Sequence, residues 1–448
     1  MTDFIPEDAM YAVAEMKQVS RNTFKLETSS ATSAGPNRQV TVNLPENAIL
    51  DMKSFRFFFR ATCVGSTENA AVVRAKLPGH ASSMLQRVSV FINGQQVQQG
   101  SAEYHTIAQA LRLTGSNIDH DNSIGRLCSH AWIDDDDAAD DDEQIVVQDW
   151  CGFLNESSTR YLNTGLIGSI QVVLTFSGND ALVPLEVGNN VGDNLTADGK
   201  IAAARMTYSV SDMYFSIASV SLDPMYNEML RERLQAGGLQ VNYKEYYFYE
   251  LGNITGGAGS VRAALSAQSI DALHGAWRDS NHTSVGIKGH ALPNATGVSA
   301  YVSNQLRFRA YNNGVSKLPG AMRYNWSVNN VRYGQFQESL VDAACNAGYA
   351  ADKVGVNDGH LITSRGSFED GKYVNSLLLA MPCKKGVAVK AGYDARGLNS
   401  ALVWEVLNAT NPGAVAATGE TGILSAFFVA STTATLNIAL GRDLLVTF

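Results

Sequence analysis

The sequence contains few cysteines and little charge. Its 448 residues include five cysteines, and no two of them form a C-x-x-C pair. An odd number of scattered thiols is typical of a chain that folds in a reducing compartment. Charged residues make up 17% of the chain, with a formal net charge of −9. That balance excludes a surface built to neutralise phosphates, so we expect no direct sequence-specific binding of nucleic acid.

Long hydrophobic runs and a secretory leader are also missing. No apolar run reaches the roughly 20 residues that a membrane-spanning helix needs. The N-terminus carries Asp3, Glu7, Asp8 and Glu15, whereas a signal peptide begins with positive charge and continues with an apolar segment. We therefore expect a chain that is made and kept in the cytoplasm.

Signatures of catalysis and cofactor binding are absent from the sequence. It contains no G-x-S-x-G elbow and no H-x-H or H-E-x-x-H spacing. Residues 366–372 begin like a phosphate-binding loop, but Tyr373 stands where the magnesium-binding Ser or Thr belongs. The sequence therefore predicts that the protein is not an enzyme and has no catalytic residues and no cofactor.

The most conspicuous charged stretch is the acidic run 134–143. An EF-hand calcium loop counted from Asp134 would need glycine and glutamate where Ala139 and Ile145 stand. The run fails that test, and its acids are expected to form a solvated, self-repelling loop tip. The candidate ligands of a looser divalent-ion site are Asp134, Asp136 and Asp140.

A short helix is predicted near the middle of the chain, at 223–238. Asp223 suits an N-cap, Pro224 suits the first helical position, and the Gly237-Gly238 pair suits the end. Its apolar residues recur at helical spacing: Tyr226, Met229, Leu230 and Leu234. Because alternating, strand-like runs dominate on both sides, we interpret this helix as a connector between two β-rich halves.

The two halves share a pattern at an offset of 236 residues. A strand followed by Asn93-Gly94 predicts a tight hairpin, and the same offset leads to a strand followed by Asn329-Asn330. A helical stripe follows each hairpin and ends at Gly115 in the first half and at Gly348 in the second. We interpret this recurrence as an internal duplication.

Each half shows about seven or eight strand-like runs, the number in a jelly roll. We therefore predict an all-β protein of two tandem eight-stranded jelly-roll β-sandwiches joined by a short helix. The predicted divisions are an N-terminal arm (1–34), a first jelly roll (35–222), the connecting helix (223–238) and a second jelly roll (239–448). Residues 252–304 read as one long connection within the second half.

The predicted arm begins with a short amphipathic segment. Its apolar residues are Phe4, Ile5, Met10 and Val13. A one-sided apolar stripe outside a folded domain favours contact with a neighbouring molecule or a membrane surface. These four residues are the candidate contact site.

The run 79–97, continued through Tyr104 and Leu111, resembles the first hairpin and following helix of the double jelly-roll major capsid proteins. Residues 364–373 are similar to a strand-joining segment of such coats. The family includes coat proteins of tailless membrane-containing bacteriophages, virophages and large eukaryotic DNA viruses. The resemblance covers most of the chain as architecture and carries no catalytic motif.

The resemblance implies a structural virion protein whose homotrimers form pseudo-hexagonal capsomers that tile an icosahedral capsid. It implies synthesis in the host cytoplasm and location in the virion capsid. The implied partners are the chain itself, neighbouring capsomers, penton and minor capsid proteins, and an internal membrane where the virus has one.

Two other functions remain open from the residues. The first is a soluble carbohydrate-binding two-domain β-sandwich protein, for which exposed loop aromatics would be needed; the candidates are Trp132, Trp150 and Trp277. The second is a cupin-type enzyme, which would need clustered histidine ligands that the spacing does not supply.

Overall fold

The computed structural model describes residues 18–68, 71–77, 81–99, 102–115, 142–187, 200–202, 206–222, 224–254, 259–279, 285–291, 298–303, 323–339, 362–364, 375–377, 379–383, 392–396, 401–407, 424–439, 441 and 443–448. The helices in these ranges are α1 (Tyr104–Gly115), α2 (Thr164–Ile167) and α3 (Pro224–Ala236). None of them is long and apolar enough to cross a membrane.

Strands account for most of the described structure on both sides of α3. Those before α3 are β1 (Gln18–Glu27), β2 (Gln39–Asn43), β3 (Ile49–Val64), β4 (Ser66–Glu68), β5 (Ala71–Lys76), β6 (Leu85–Ile92), β7 (Gln95–Gln98), β8 (Asp142–Val147), β9 (Tyr161–Asn163), β10 (Ile170–Phe176), β11 (Val183–Val187), β12 (Lys200–Ala202) and β13 (Thr207–Leu222). Those after α3 are β14 (Leu239–Ile254), β15 (Gly259–Ala264), β16 (Ile270–Asp279), β17 (Val285–Ala291), β18 (Val298–Ser303), β19 (Arg323–Val328), β20 (Val331–Ser339), β21 (Ile362–Ser364), β22 (Asn375–Leu377), β23 (Leu379–Pro382), β24 (Ala401–Leu407), β25 (Leu424–Ile438) and β26 (Leu444–Thr447).

The first half folds into a barrel of two antiparallel sheets. One sheet has the order β1-β13-β3-β8, with β9 paired to β3, and the other has the order β2-β10-β6-β7. Alternation along β3 buries Phe55, Phe57 and Phe59 completely between the sheets. The Phe57 ring stacks on Phe215 of β13 at a centroid distance of 4.4 Å.

The second half repeats this arrangement. Its sheets have the orders β14-β25-β16-β23, with β26 paired to β25, and β15-β24-β19-β20. Strand for strand, these are the two sheets of the first barrel. The core contains Trp326 and Trp404, stacked at 5.3 Å, with Phe428 edge-on to Trp326. The predicted all-β fold of two tandem jelly rolls is confirmed.

The two predicted hairpins occupy the same place in their sheets. Asn93 and Gly94 join β6 to β7 with φ of 50° and 80°, and Asn329 and Asn330 join β19 to β20 with φ of 51° and 63°. Positive φ at both turn residues suits the twist of antiparallel strands, which is why Asn and Gly are favoured there. Helix α1 follows the first hairpin as predicted, while the helix predicted to end at Gly348 lies outside the described residues.

Helix α3 confirms the predicted connector between the halves. Pro224 is its first residue, and the Gly238 N–H donates to the Arg233 carbonyl at 3.2 Å beyond its end. The predicted apolar stripe is only partly covered, because Leu234 is buried whereas the Met229 side chain is 39% exposed.

Two predicted boundaries differ from the structure. Residues 18–27 of the predicted arm form β1, an edge strand paired with β13, so 1–34 is not wholly an arm; Phe4, Ile5, Met10 and Val13 lie outside the described residues. The predicted connection 252–304 contains β15 and β16, which belong to the two sheets of the second barrel. Both differences arise because these strands lack a clean alternation of apolar and polar residues.

A further sheet links connections of the two barrels. It has the order β12-β17-β18-β11-β5-β4. Strands β11 and β18, which come from different halves, pair through Leu185 and Ala300. This six-stranded sheet therefore ties the halves together through residues outside their cores.

Candidate functional site: the seam between the barrels

The residues predicted for chemistry are not brought together. Asp134, Asp136 and Asp140 lie outside the described residues, and within the described part of the chain no group of three His, Cys, Asp or Glu could hold a metal ion. Of the tryptophans considered for glycan binding, Trp150 is buried and its Nε1 donates to the Phe55 carbonyl at 2.9 Å. Trp132 is outside the described residues, and Trp277 lies in β16.

The most extensive contact between the halves is made by β14, an edge strand of the second barrel. The Ser158 N–H of the first barrel donates to the Asn242 carbonyl at 2.6 Å, and the Asn242 N–H donates to Ser158 Oγ at 3.0 Å. Ser157 and Tyr243 form an antiparallel bridge at the same point. The first barrel thus pairs with backbone groups that an edge strand would otherwise leave open. We call this contact the seam.

Aromatic side chains of β14 fill the seam. Tyr243 is 1% exposed; its hydroxyl donates to the Val97 carbonyl at 2.7 Å, and its ring meets the Phe153 ring edge-on at 5.2 Å. On the neighbouring outer face of the sheet, an apolar cluster joins the two barrels. Its members from the second barrel are Tyr246, Phe248, Phe427 and Val429, and those from the first are Ile107, Leu111 and Cys151.

Two carboxyl groups are buried in the seam. Glu156 of the first barrel accepts the Gly152 N–H at 2.7 Å and lies 2.8 Å from the Tyr246 hydroxyl, which donates to it. Glu245 of the second barrel accepts the Gln99 N–H at 3.2 Å, and its Oε2 has no hydrogen-bond partner among the described residues. Burial raises the pKa of Glu156, and it raises the pKa of Glu245 to about 8. At neutral pH Glu245 is therefore mainly an uncharged acid.

Other titratable groups of the seam are also held neutral. The Tyr104 hydroxyl accepts the Cys151 N–H at 3.0 Å, and burial raises the pKa of both Tyr104 and the Cys151 thiol. A thiol with a raised pKa carries little of the nucleophilic thiolate. This arrangement suits a dry packing surface between domains.

The Glu245→Gln variant is expected to lose less stability than the wild type as the pH rises. The pKa of Glu245 is about 8 in the folded chain against 4.5 for an ordinary glutamate, so folding takes up a proton between these values. Its contribution is complete below pH 4.5 and falls by about 1.4 kcal/mol per pH unit until pH 8. Urea denaturation of both proteins at pH 5 and pH 8 measures the difference. Exposed Glu228→Gln is the control, and a Glu245→Gln effect that does not depend on pH would contradict the assignment.

Each barrel also contains a buried aspartate near the start of its third strand. In the first barrel, Asp51 is completely buried and accepts Arg160 Nε at 3.0 Å and Nη2 at 2.9 Å, while Arg21 Nη2 lies 3.5 Å away. Arg21 belongs to edge strand β1, so the ion pair fastens that strand across β13 to β3. Two partners and a bidentate fork are the conditions under which a buried carboxylate is stable.

Asp271 of β16 holds the matching place in the second barrel. It accepts the Ser269 hydroxyl at 2.7 Å and the Thr433 hydroxyl at 2.6 Å, and it pairs with Lys244 of edge strand β14. In both barrels a basic residue of the edge strand thus reaches across the next strand to a buried aspartate. The sequence analysis missed this pair because the two aspartates are 220 residues apart, not 236.

A polar cleft of about 720 Å³ opens beside β1 and α3. Its lining includes Phe24, Ile49, Asn163, Leu222, Asn227 and Arg231. Gln18, the first residue of β1, pairs with Leu222. The segment 1–17 therefore joins the barrel at the edge of this cleft.

The sequence matches no protein-family model, and no curated protein matches it significantly. Solved structures do match. A chain of the PBCV-1 virus capsid superposes with a TM-score of 0.60 over 96% of both chains, at 12% identity. A chain of the Sputnik virophage gives 0.59 over 96% of this chain and 89% of that one, at 12% identity. The Faustovirus major capsid protein gives 0.54 over 94% and 90%, at 9% identity. Together with the sheet orders, these likenesses show that the chain has the double jelly-roll fold of viral major capsid proteins.

Proposed function

We propose that the chain is a major capsid protein whose homotrimers form pseudo-hexagonal capsomers and tile an icosahedral virus shell. The observation that carries this proposal is the presence, in one chain, of two barrels with the same strand order, in a fold shared over 96% of its length with a viral capsid chain. Three copies supply six similar barrels. A ring of six can meet its neighbours through near-equivalent contacts on every side.

The seam supports this role because it shows that a barrel of this chain packs against another barrel through large aromatic side chains. Tyr and Phe are common at the centres of protein interfaces. The proposed partners are the chain itself, neighbouring capsomers, penton and minor capsid proteins, and an internal membrane where the particle has one. The role is structural and non-enzymatic, without direct sequence-specific nucleic-acid binding, in a capsid whose chains are made in the host cytoplasm. In this assignment the two barrels are the structural units, divided at 223–238.

The mass of the purified protein in solution tests the proposal. Light scattering at several concentrations is expected to show a stable species of three 48.1 kDa chains, about 144 kDa. Electron microscopy of that species is expected to show hexagonal outlines. A chain that stays monomeric at high concentration would contradict the trimeric capsomer.

The N-terminal arm, now limited to residues 1–17, is proposed to contact a neighbouring capsomer, a minor protein or an internal membrane. Its apolar residues Phe4, Ile5, Met10 and Val13 and its exit beside the cleft support this contact. A variant without residues 1–17 serves as the comparison for the light-scattering measurement. It is expected to form the same trimers but not normal particles, and recovery of normal particles would remove the arm from assembly.

The carbohydrate-binding alternative gains no support from Trp150. A glycan-stacking tryptophan must present its ring to solvent, and this one is packed against Phe55 at 5.4 Å in the core of the first barrel.

A further inference from the structure

The strand pairing allows the outer faces of the two barrels to be compared residue by residue. Leu26 of β1 pairs with Phe215 of β13, and Tyr249 of β14 pairs with Phe428 of β25. Phe215 and Phe428 are both completely buried in their barrel cores, so the two pairs occupy equivalent inward positions. The neighbouring residues of each strand then point to the outer face.

Equivalent outward positions differ sharply in the two barrels. The register gives one row of three across each sheet: Lys25, Ser216 and Arg56 in the first barrel, and Phe248, Val429 and His274 in the second. The second row is apolar or uncharged, since burial lowers the pKa of His274 to about 4. The first row carries two positive charges.

The same rows differ in burial. Val429 and His274 are 0% and 5% exposed, and the cluster around Val429 is closed by Ile107 and Leu111 of α1 from the first barrel. In the first barrel Lys25 and Arg56 are exposed, as are all residues from 20 to 25 of β1. The chain therefore covers this face once, in its second barrel, and leaves the counterpart open.

The open counterpart is an ordered surface. The rings of Phe58 and Tyr214 stack at 4.6 Å with 6° between their planes, and Lys25 Nζ lies 4.5 Å from the centre of the Tyr214 ring. We call the surface formed by Lys25, Arg56, Phe58 and Tyr214 the open sheet face. Aromatic residues and arginine are the types enriched in protein–protein interfaces, and stacked rings lose little side-chain freedom on binding.

We propose that the open sheet face is covered by the second barrel of another copy of this chain. The occupant follows from the seam, where the first barrel meets β14 through Val97 and Gln99 at the end of β7. Strand β20 holds the place of β7 in the second barrel, so that barrel presents the corresponding side to a neighbour. This inference rests on the proposed capsomer and names the surface that builds it.

The contact is head-to-tail, because a first-barrel face meets a second-barrel side. Repeated around a three-fold axis, such a heterologous contact closes into a ring in which contacts within and between chains alternate. The chemistry fits that division. The face covered within the chain is apolar, whereas the face left for another copy keeps the charges that hold the folded monomer in solution.

Charge reversal on the open sheet face tests the proposal. We expect the double variant Lys25→Glu, Arg56→Glu to associate at least about tenfold more weakly than the wild type, measured as the concentration dependence of the mass by light scattering. The matched control is Arg87→Glu, which reverses an exposed charge on β6 in the other sheet of the same barrel and is expected to associate normally. Thermal unfolding followed by circular dichroism verifies that both variants fold.

The outcomes separate this inference from the proposed function. Weaker association of the double variant alone supports the open sheet face as the contact. If the double variant forms trimers as tightly as the control, the face is not the contact, although the capsomer stands. If wild-type chains do not associate at all, the capsomer proposal fails and the contact fails with it.

Discussion

Replacing Phe57 with alanine is expected to destabilise the first barrel by about 3–5 kcal/mol. The ring is completely buried and lies within 4.4 to 6.1 Å of the rings of Phe59, Phe176 and Phe215. Removing it leaves a cavity between two sheets whose backbones are fixed by ladder hydrogen bonds, so the site can relax only in part. Urea denaturation followed by circular dichroism measures the loss.

The next residue along β3 provides the control. Phe58 points to the opposite side of the sheet and stacks on Tyr214 in the open sheet face. Phe58→Ala is expected to cost no more than about 1 kcal/mol in the free chain. If both alanine variants lost the same stability, the two rings would share an environment and the assignment of core and outer face would be contradicted.

Features encoded by a few neighbouring residues could be predicted from the sequence. Asn93-Gly94 and Asn329-Asn330 favour positive φ by local chemistry alone, so the two hairpins and their offset of 236 were visible. Helix α3 was visible because its proline and its two glycines mark the ends. The all-β fold follows from these turns together with the alternating runs between them.

Features that depend on distant partners could not be predicted in the same way. Strand β1 has polar residues on both faces, and it is a strand because β13, far along the chain, offers it a ladder. Strands β15 and β16 were missed inside a stretch that looks like a long loop. The seam was also out of reach, since nothing in the local pattern of β14 says that Ser157 and Ser158 will pair with it.

The duplication was only partly visible for a reason that the structure explains. The connection between the third and fourth core strands runs through residues 65–84 in the first barrel and 280–322 in the second. The second connection is longer, so the offset between equivalent residues is 220 at the aspartates Asp51 and Asp271 and becomes 236 at the hairpins. A search at one fixed offset therefore finds the hairpins and misses the buried aspartates.

The two cores fill equivalent space with different residues. Phe57 pairs with Phe215 in the first barrel, and Gly275 pairs with Phe428 in the second. Across from the large Phe57 stand Val90 and Val172, paired in the facing sheet. Across from Gly275 stand Trp326 and Trp404, paired in the same places. Large and small residues have exchanged sheets while the barrel interior stays filled, as close packing requires.

Gly275→Val is therefore expected to destabilise the second barrel by overpacking, by about 1–3 kcal/mol or more. A Cβ at residue 275 would lie 2.8 Å from Trp404 Cζ2 and 3.0 Å from Trp326 Cζ2, and these stacked, buried rings have no free volume to move into. Ala264→Val, at an exposed position of β15, is the control and is expected to leave the urea midpoint nearly unchanged. Adding Trp404→Phe to Gly275→Val removes the closest contact, so the double variant should regain stability that Trp404→Phe alone loses. If the two substitutions were simply additive, the clash with Trp404 would not be the cause.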